Sequence, residues 1–286
     1  MSNTTIIHTI SGPLELFICS DLHLEMPLSK VPTLPPGEGK IIGLLGDIGK
    51  PCQQSQSYER FIKSCIEDYK FERVLIIIGN HEFYGGEYYS RKQKIKEIVQ
   101  SFPDNKVLVL DQNSLLILEE QTNRKIRILG CTLWSNIPSR HERDISRAIS
   151  DYMYITIQKG EEETAQKLTV QDTNQFHRDD VEWLVEELEK CKENGEEVVI
   201  LTHHAPLISG TSHPRHNSSI YCSAFSTNLQ FIMDKFSDEI KVWGFGHTHY
   251  SNSIQVGKTL LVSNQQGYRV ELDNEKGFNS NLILKI

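Results

Sequence analysis

The sequence lacks the markers of a disulfide framework and of a thiolate metal site. Its six cysteines, Cys19, Cys52, Cys65, Cys131, Cys191 and Cys222, include no C-x-x-C pair. Reduced, mostly buried thiols are expected. It also lacks any run of the roughly 20 apolar residues that cross a bilayer. The opening stretch MSNTTIIHTISGPLELF has neither the basic region nor the small-residue cleavage site of a signal peptide. A cytoplasmic protein with no membrane partner is the expectation. Positive charge is scarce: 30 Lys and Arg stand against 38 Asp and Glu, for a formal net charge of -8. That balance leaves no broad cationic face for tracking extended nucleic acid. Internal repeats, low-complexity blocks and linker-like stretches are absent too, so the 286 residues are read as one domain, 1–286.

What the chain does have is a series of short, β-rich apolar runs, each bounded by Gly, Asp or His. They lie at Leu14–Cys19, Ile41–Leu45, Val74–Ile78, Ile126–Leu129, Val198–Leu201, Ile240–Trp243 and Thr259–Val262. Each is too short for a buried helix and predicts an interior strand. Helical patterns fall between them at Tyr58–Tyr69, Tyr88–Val99 and Asp172–Cys191. In the last, Asp172 and Gln175 fit a capping box, and Phe176, Trp183, Leu184, Leu188 and Cys191 recur at near-helical spacing. This alternation predicts an α/β layered fold. The strand-rich segments Val107–Leu118 and beyond Thr259 predict some antiparallel pairing, hence mixed sheets. The stretches Val31–Gly39 and Ser209–Ser219 read as long loops of the kind that carry function.

Five motifs that end apolar runs carry the chemistry: Asp21-Leu22-His23, Gly46-Asp47, Gly79-Asn80-His81-Glu82, Thr202-His203-His204 and Gly246-His247-Thr248-His249. In extended backbone, residues two apart share a side, so Asp21 with His23, and His247 with His249, are expected to converge. By the same rule His203 points into a site and His204 away from it. Asp47 offers two oxygens and can bridge two cations. Asn80 supplies a neutral amide oxygen, which keeps total negative charge low enough for a phosphate to bind. Each motif alone also reads as a turn or a strand-terminating polar residue. Their coincidence at five strand ends, where α/β sheets bind ligands, points to a binuclear hydrolase site.

The ordered set D-x-H, G-D, G-N-H-E, H and G-H-x-H resembles that of the calcineurin-like metallophosphoesterases, and the resemblance runs from Asp21 to His249. The segments GCTLWS, AISDYMYI, LTVQDT, ILTHHAP and SNQQGY look like those of a less characterised cytosolic branch. The resemblance implies a four-layer α/β/β/α sandwich of two mixed sheets flanked by helices. It implies one divalent metal on Asp21, His23, Asp47 and His249 and a second on Asp47, Asn80, His203 and His247. His81 is similar to the family histidine that touches the phosphate and protonates the leaving oxygen. The implied reaction is attack of a metal-bridging hydroxide on a small phosphomonoester or phosphodiester. Mn²⁺ is the expected ion, with Fe, Zn²⁺ and Ni²⁺ also suited to these donors.

The chain departs from the protein serine/threonine phosphatases after Asp47. Their G-D-x-V-D-R-G supplies an aspartate that orients the catalytic histidine and an arginine for phosphate, whereas here the continuation is Ile48-Gly49-Lys50-Pro51. Lys50 offers a replacement charge or is a solvated loop lysine. Gln266 stands where relatives often carry arginine. The Ser209–Ser219 loop contributes Arg215 and His216 as candidate substrate contacts. The alternatives to a small-ester hydrolase are a protein phosphatase, a nuclease for short or cyclic substrates, and a non-catalytic interaction module on the same fold.

Overall fold

The computed structural model describes residues 6–27, 29–51, 55–160, 163–268 and 277–286. Two sheets dominate. One has seven strands in the order Ile6–Ile10, Asn113–Glu119, Lys125–Cys131, Glu197–Thr202, Ile240–Phe245, Thr259–Ser263, Asn252–Val256. The other has five, in the order Ile283–Lys285, Glu15–Cys19, Lys40–Leu45, Arg73–Ile77, Val107–Val109. Both are mixed, with parallel interior pairs and antiparallel pairs toward the margins. A small third sheet joins Gly86–Glu87, Ile155–Ile157 and Gln166–Lys167.

The apolar runs are continuous because both faces of each sheet are covered. Successive side chains in a strand point to opposite faces. Leu16, Ile18, Ile41, Leu45, Leu75 and Ile77 therefore face Leu115, Ile117, Ile126, Ile128, Val199 and Leu201 of the other sheet in one core. Their neighbours Phe17, Cys19, Ile42, Leu44, Val74 and Ile76 pack against Tyr58, Phe61, Ile62 and Cys65 of the helix Ser55–Glu67. On the far side, Val198, Ile200, Trp243 and Phe245 meet Leu184, Leu188 and Cys191 of the helix Val170–Glu193. The result is a four-layer α/β/β/α sandwich. Among the described residues five cysteines are free, four of them buried; Cys52 lies outside the described residues. Among the described residues, no helix is long and apolar enough to cross a membrane.

One local expectation is corrected. The long helix starts earlier than predicted: Thr169, in extended backbone, is the cap, and its hydroxyl accepts from Asp172 N while Asp172 Oδ2 accepts from Thr169 N at 3.0 Å. Asp172 is already helical, so it is the distal partner of the capping box rather than the cap. Gln175 donates instead to Asp179 Oδ1 at 2.6 Å on the exposed face. The antiparallel pairing expected around Val107–Leu118 and beyond Thr259 is present, the former in the second half of its segment. Val107–Val109 runs parallel to Arg73–Ile77 in the five-stranded sheet, and Asn113–Glu119 pairs antiparallel with Lys125–Cys131 in the seven-stranded one. The chain changes sheets between them, at residues 110–112, with Gln112 at φ 50°.

Candidate metal centre

The five motifs sit at the carboxyl ends of five parallel interior strands, three from the five-stranded sheet and two from the other. The expected extended geometry for D-x-H and H-x-H is not what brings the side chains together. Asp21, His23, Asp47, His247 and His249 all lie in the left-handed region, with φ between 47° and 69°. That conformation costs a non-glycine residue about 1–2 kcal/mol, and it persists only where surrounding contacts enforce it. Here they do. Asp21 N donates to Gly46 O at 3.0 Å, His23 N to Asp47 O at 2.9 Å and Leu24 N to Ile48 O at 2.9 Å, so two adjacent loops are laced past the strand ends. A second seam ties the sheets to each other: Ser20 N donates to Asn264 O at 3.1 Å and Gln266 N to Ser20 O at 3.1 Å. Gly46, at φ 89°, and Gly79 leave the space that His203 and the Asp47 carboxylate occupy; a Cβ on either would collide with those groups.

Three acceptor atoms meet at one point. His203 Nδ1 donates to Leu45 O at 2.8 Å, which leaves Nε2 as a lone pair. That lone pair faces Asn80 Oδ1 at 2.9 Å and Asp47 Oδ1 at 3.4 Å. The Asn80 amide nitrogen is committed on the other side, to Asp151 Oδ1 at 2.7 Å and Tyr84 Oη at 3.2 Å, and this fixes the direction of its oxygen. Convergent acceptors repel unless a proton or a cation lies between them, and a cation would satisfy all three at once. Beside them, His249 Nε2 lies 3.0 Å from His23 Nε2 and 3.4 Å from Asp21 Oδ1. Asp21, His23 and His249 place ligand atoms within 4.8 Å of one another; so do Asp21, Asp47 and His203, and so do His203, His204 and His247. The residue types and their protonation therefore fit divalent cations.

Burial prepares the donors. It drives the His203 pKa down to about 4 and lowers those of His23, His204 and His247, so all four are neutral ligand forms near pH 7. Burial, with the nearby charges of Glu82 and Asp21, pushes Asp47 well above the usual carboxylate range. Burial acts on Asp21 in the same direction, but the hydrogen bond and charge of His249 and the nearby His203 and His23 outweigh it and hold Asp21 well below that range. The ion pairs that Asp21 and Asp47 make among the described residues are with histidines. Cations would relieve this crowding of negative charge.

Several residues that hold the site were not assigned roles from sequence. Glu82, from the G-N-H-E motif, is buried and accepts from Asp47 N at 3.0 Å, Ile48 N at 2.8 Å and Gly79 N at 2.9 Å, tying two loops together. Asp151, in AISDYMYI, fixes the Asn80 amide and accepts from Tyr84 Oη at 2.6 Å. Glu25, two residues past His23, accepts from His81 Nδ1 at 2.9 Å. Tyr268 Oη is 3.1 Å from His81 Nε2. All four lie in stretches whose wording was legible, but their partners are distant in sequence.

Of the expected substrate contacts, Asn80, His81 and His216 line a cavity of ≈ 370 Å³ beside the ligand cluster, together with Tyr84, Tyr221 and Phe225. Arg215 is not among the lining residues; its Nε donates to His216 Nε2 at 2.9 Å. Lys50 lies over the outer face of the Tyr84 ring, 5.7 Å from its centroid. Gln266 Nε2 donates to Lys30 O at 2.8 Å, tethering the loop that precedes the strand Lys40–Leu45. His204, expected to point away, instead has its ring 4.1 Å from that of His247, with Nδ1 2.9 Å from Ser135 Oγ.

The family model of the calcineurin-like phosphoesterases matches residues 14–251. An uncharacterised protein of Acanthamoeba polyphaga mimivirus is 30% identical over 250 residues, covering 84% of this chain and 82% of its own. The fold is similar to that of the phosphopantetheinyl hydrolase PptH of Mycobacterium tuberculosis, with a TM-score of 0.65 at 13% identity over 97% of each chain. With a family match over most of its length and the fold to go with it, the chain belongs to the calcineurin-like phosphoesterases.

Proposed function

We propose that this protein is a binuclear metal-dependent hydrolase of small phosphomonoesters or phosphodiesters. In this reading Asp21, His23, Asp47 and His249 hold one divalent ion, and Asp47, Asn80, His203 and His247 hold the other, with Mn²⁺ as the proposed ion. The observation that carries it is the convergence of Asp47 Oδ1, Asn80 Oδ1 and His203 Nε2, with the donor nitrogens of Asn80 and His203 engaged elsewhere. When bound, two such ions would polarise phosphoryl oxygens and make hydroxide available near neutral pH.

The chain's own residues do the rest. His81 borders the cavity, its backbone N–H donating to Asp47 Oδ1 at 2.9 Å and its Nε2 3.9 Å from Asp47 Oδ2. With both ring nitrogens protonated, His81 would present the Nε2 proton beside the ligand cluster, where an alcohol leaving from phosphorus would need it. Among the described residues, no lysine or arginine lines the cavity, so phosphate charge would be matched by the ions and His81. Tyr84, Tyr221 and Phe225 offer apolar faces to the alcohol portion. A cavity of this size suits a small ester better than a folded phosphoprotein surface. Filled ligand positions beside such a cavity favour catalysis over a purely structural module.

The test is metal analysis of purified protein combined with turnover of phenyl and nitrophenyl phosphomonoesters and phosphodiesters, in the parent and in His81→Asn. We expect about two ions per chain in both proteins, and a loss of about 10²–10⁴-fold in kcat for poor leaving groups in the variant. Fewer than two ions and no hydrolysis by the parent would sink the reading; an unaffected variant would remove His81 as the acid.

A further inference from the structure

We propose that Glu25 is the positioning residue of the general acid, taking from the first loop the task for which the segment after Asp47 has no carboxylate. This rests on the assignment of His81 as the acid. Glu25 reaches the site because the turn at Asp21–Met26 is tight: Leu24 N donates to Ile48 O at 2.9 Å and Met26 N to His23 O at 2.8 Å. Its side chain is only 5% exposed, and Oε1 lies 2.9 Å from His81 Nδ1. An ionised carboxylate only accepts, so the contact requires the proton on Nδ1. The other ring nitrogen is thereby left for the substrate side, 3.1 Å from Tyr268 Oη. Packing completes the hold, with the His81 ring stacked on Tyr84 at 4.2 Å and edge-on to His23 at 4.5 Å.

The same oxygen lies 3.5 Å from His23 Nδ1. A metal-ligating histidine is commonly oriented by a carboxylate at its second nitrogen. At 3.5 Å the His23 contact is in ion-pair range but is not a hydrogen bond, so Glu25 bonds the acid and only neighbours a ligand of the proposed first ion. The segment Ile48-Gly49-Lys50-Pro51 supplies no carboxylate. Glu25 approaches His81 from a different loop, 56 residues away in sequence.

The test compares Glu25→Gln, His81→Asn and the double variant with the parent, on aryl esters running from dinitrophenyl to phenyl leaving groups. With phenyl esters we expect Glu25→Gln to lower kcat about 10–100-fold with KM little changed. With dinitrophenyl esters the loss should be under about 3-fold, because that leaving group needs no acid. The double variant should be no slower than His81→Asn, since the two residues act as one unit. Each protein should keep the parent's metal content. A loss that is equal across leaving groups, that adds to His81→Asn, or that comes with lost metal would overturn the proposal in favour of a general structural or ligand role for Glu25. If His81→Asn is slow and Glu25→Gln is not, Glu25 alone is misassigned; if His81→Asn is unaffected, the acid reading itself fails. Nitrogen-15 NMR of histidine-labelled, metal-free protein decides the contact without turnover. The His81 ring should carry its proton on Nδ1 and lose that preference in Glu25→Gln. A neutral ring protonated at Nε2 in the parent overturns the proposal.

Discussion

At the scale of single residues, burial does more than place the ligand side chains: it strips the histidines of charge before any ion arrives. His203 shows this most clearly, since its folded pKa is driven from 6.5 to about 4 while its Nδ1–H donates to Leu45 O. The unfolded chain binds a second proton, at Nε2, more readily than the folded one between pH 6.5 and about 4. Its contribution to stability is therefore complete above pH 6.5 and is lost as pH falls through that window. In metal-free protein, denaturant midpoints measured across the window should fall less steeply for His203→Gln than for the parent. Equal slopes would show that this imidazole is not held neutral. The identity of each proposed ligand was legible in the sequence as a Gly-Asp, Asn-His or His-x-His pattern. The backbone that aims them was not. Asp21 and His23 read as extended, yet both adopt left-handed conformations that only the hydrogen bonds from the neighbouring loop sustain.

Among the secondary-structure elements, short apolar runs identified the interior strands to within a residue or two, because burial on both faces demands unbroken hydrophobicity. Helix ends were less legible. The 24-residue helix Val170–Glu193 is set by Thr169, whose reciprocal bonds with Asp172 satisfy two otherwise orphaned N–H groups. Thr169→Ala should cost about 1 kcal/mol, read as a lower urea midpoint with unchanged slope at fixed metal concentration. An unshifted midpoint would mean that the cap contributes nothing. The polar run Asp111-Gln112-Asn113-Ser114 marks a break between Val107–Val109 and Asn113–Glu119, but nothing local says that the two strands enter different sheets.

For the whole molecule, the candidate site closes the gap between two sheets. Asp21, Asp47 and Asn80 come from one sheet and His203, His247 and His249 from the other, and the Ser20–Gln266 seam locks their relative position. Ions bound there would bind the folded chain alone. At a free metal concentration of about 100 times Kd, one such ion stabilises by about 2.7 kcal/mol. Chelation should therefore lower Tm, and restoring Mn²⁺ should return it in a concentration-dependent way, followed by calorimetry. A Tm indifferent to both would argue against metals shared between the sheets.

What the sequence determined by itself was the inventory: strand cores from apolar continuity, ligand chemistry from residue type, and the family resemblance from the order of five motifs. These are local or one-dimensional properties, written in neighbouring letters. Tertiary structure decided which groups face one another. Asn80 is aimed by Asp151, Asp47 is held by Glu82, and His81 meets Glu25, across separations of 71, 35 and 56 residues. Such contacts depend on loops that only the assembled sheets bring together, so no spacing rule in the chain could have announced them.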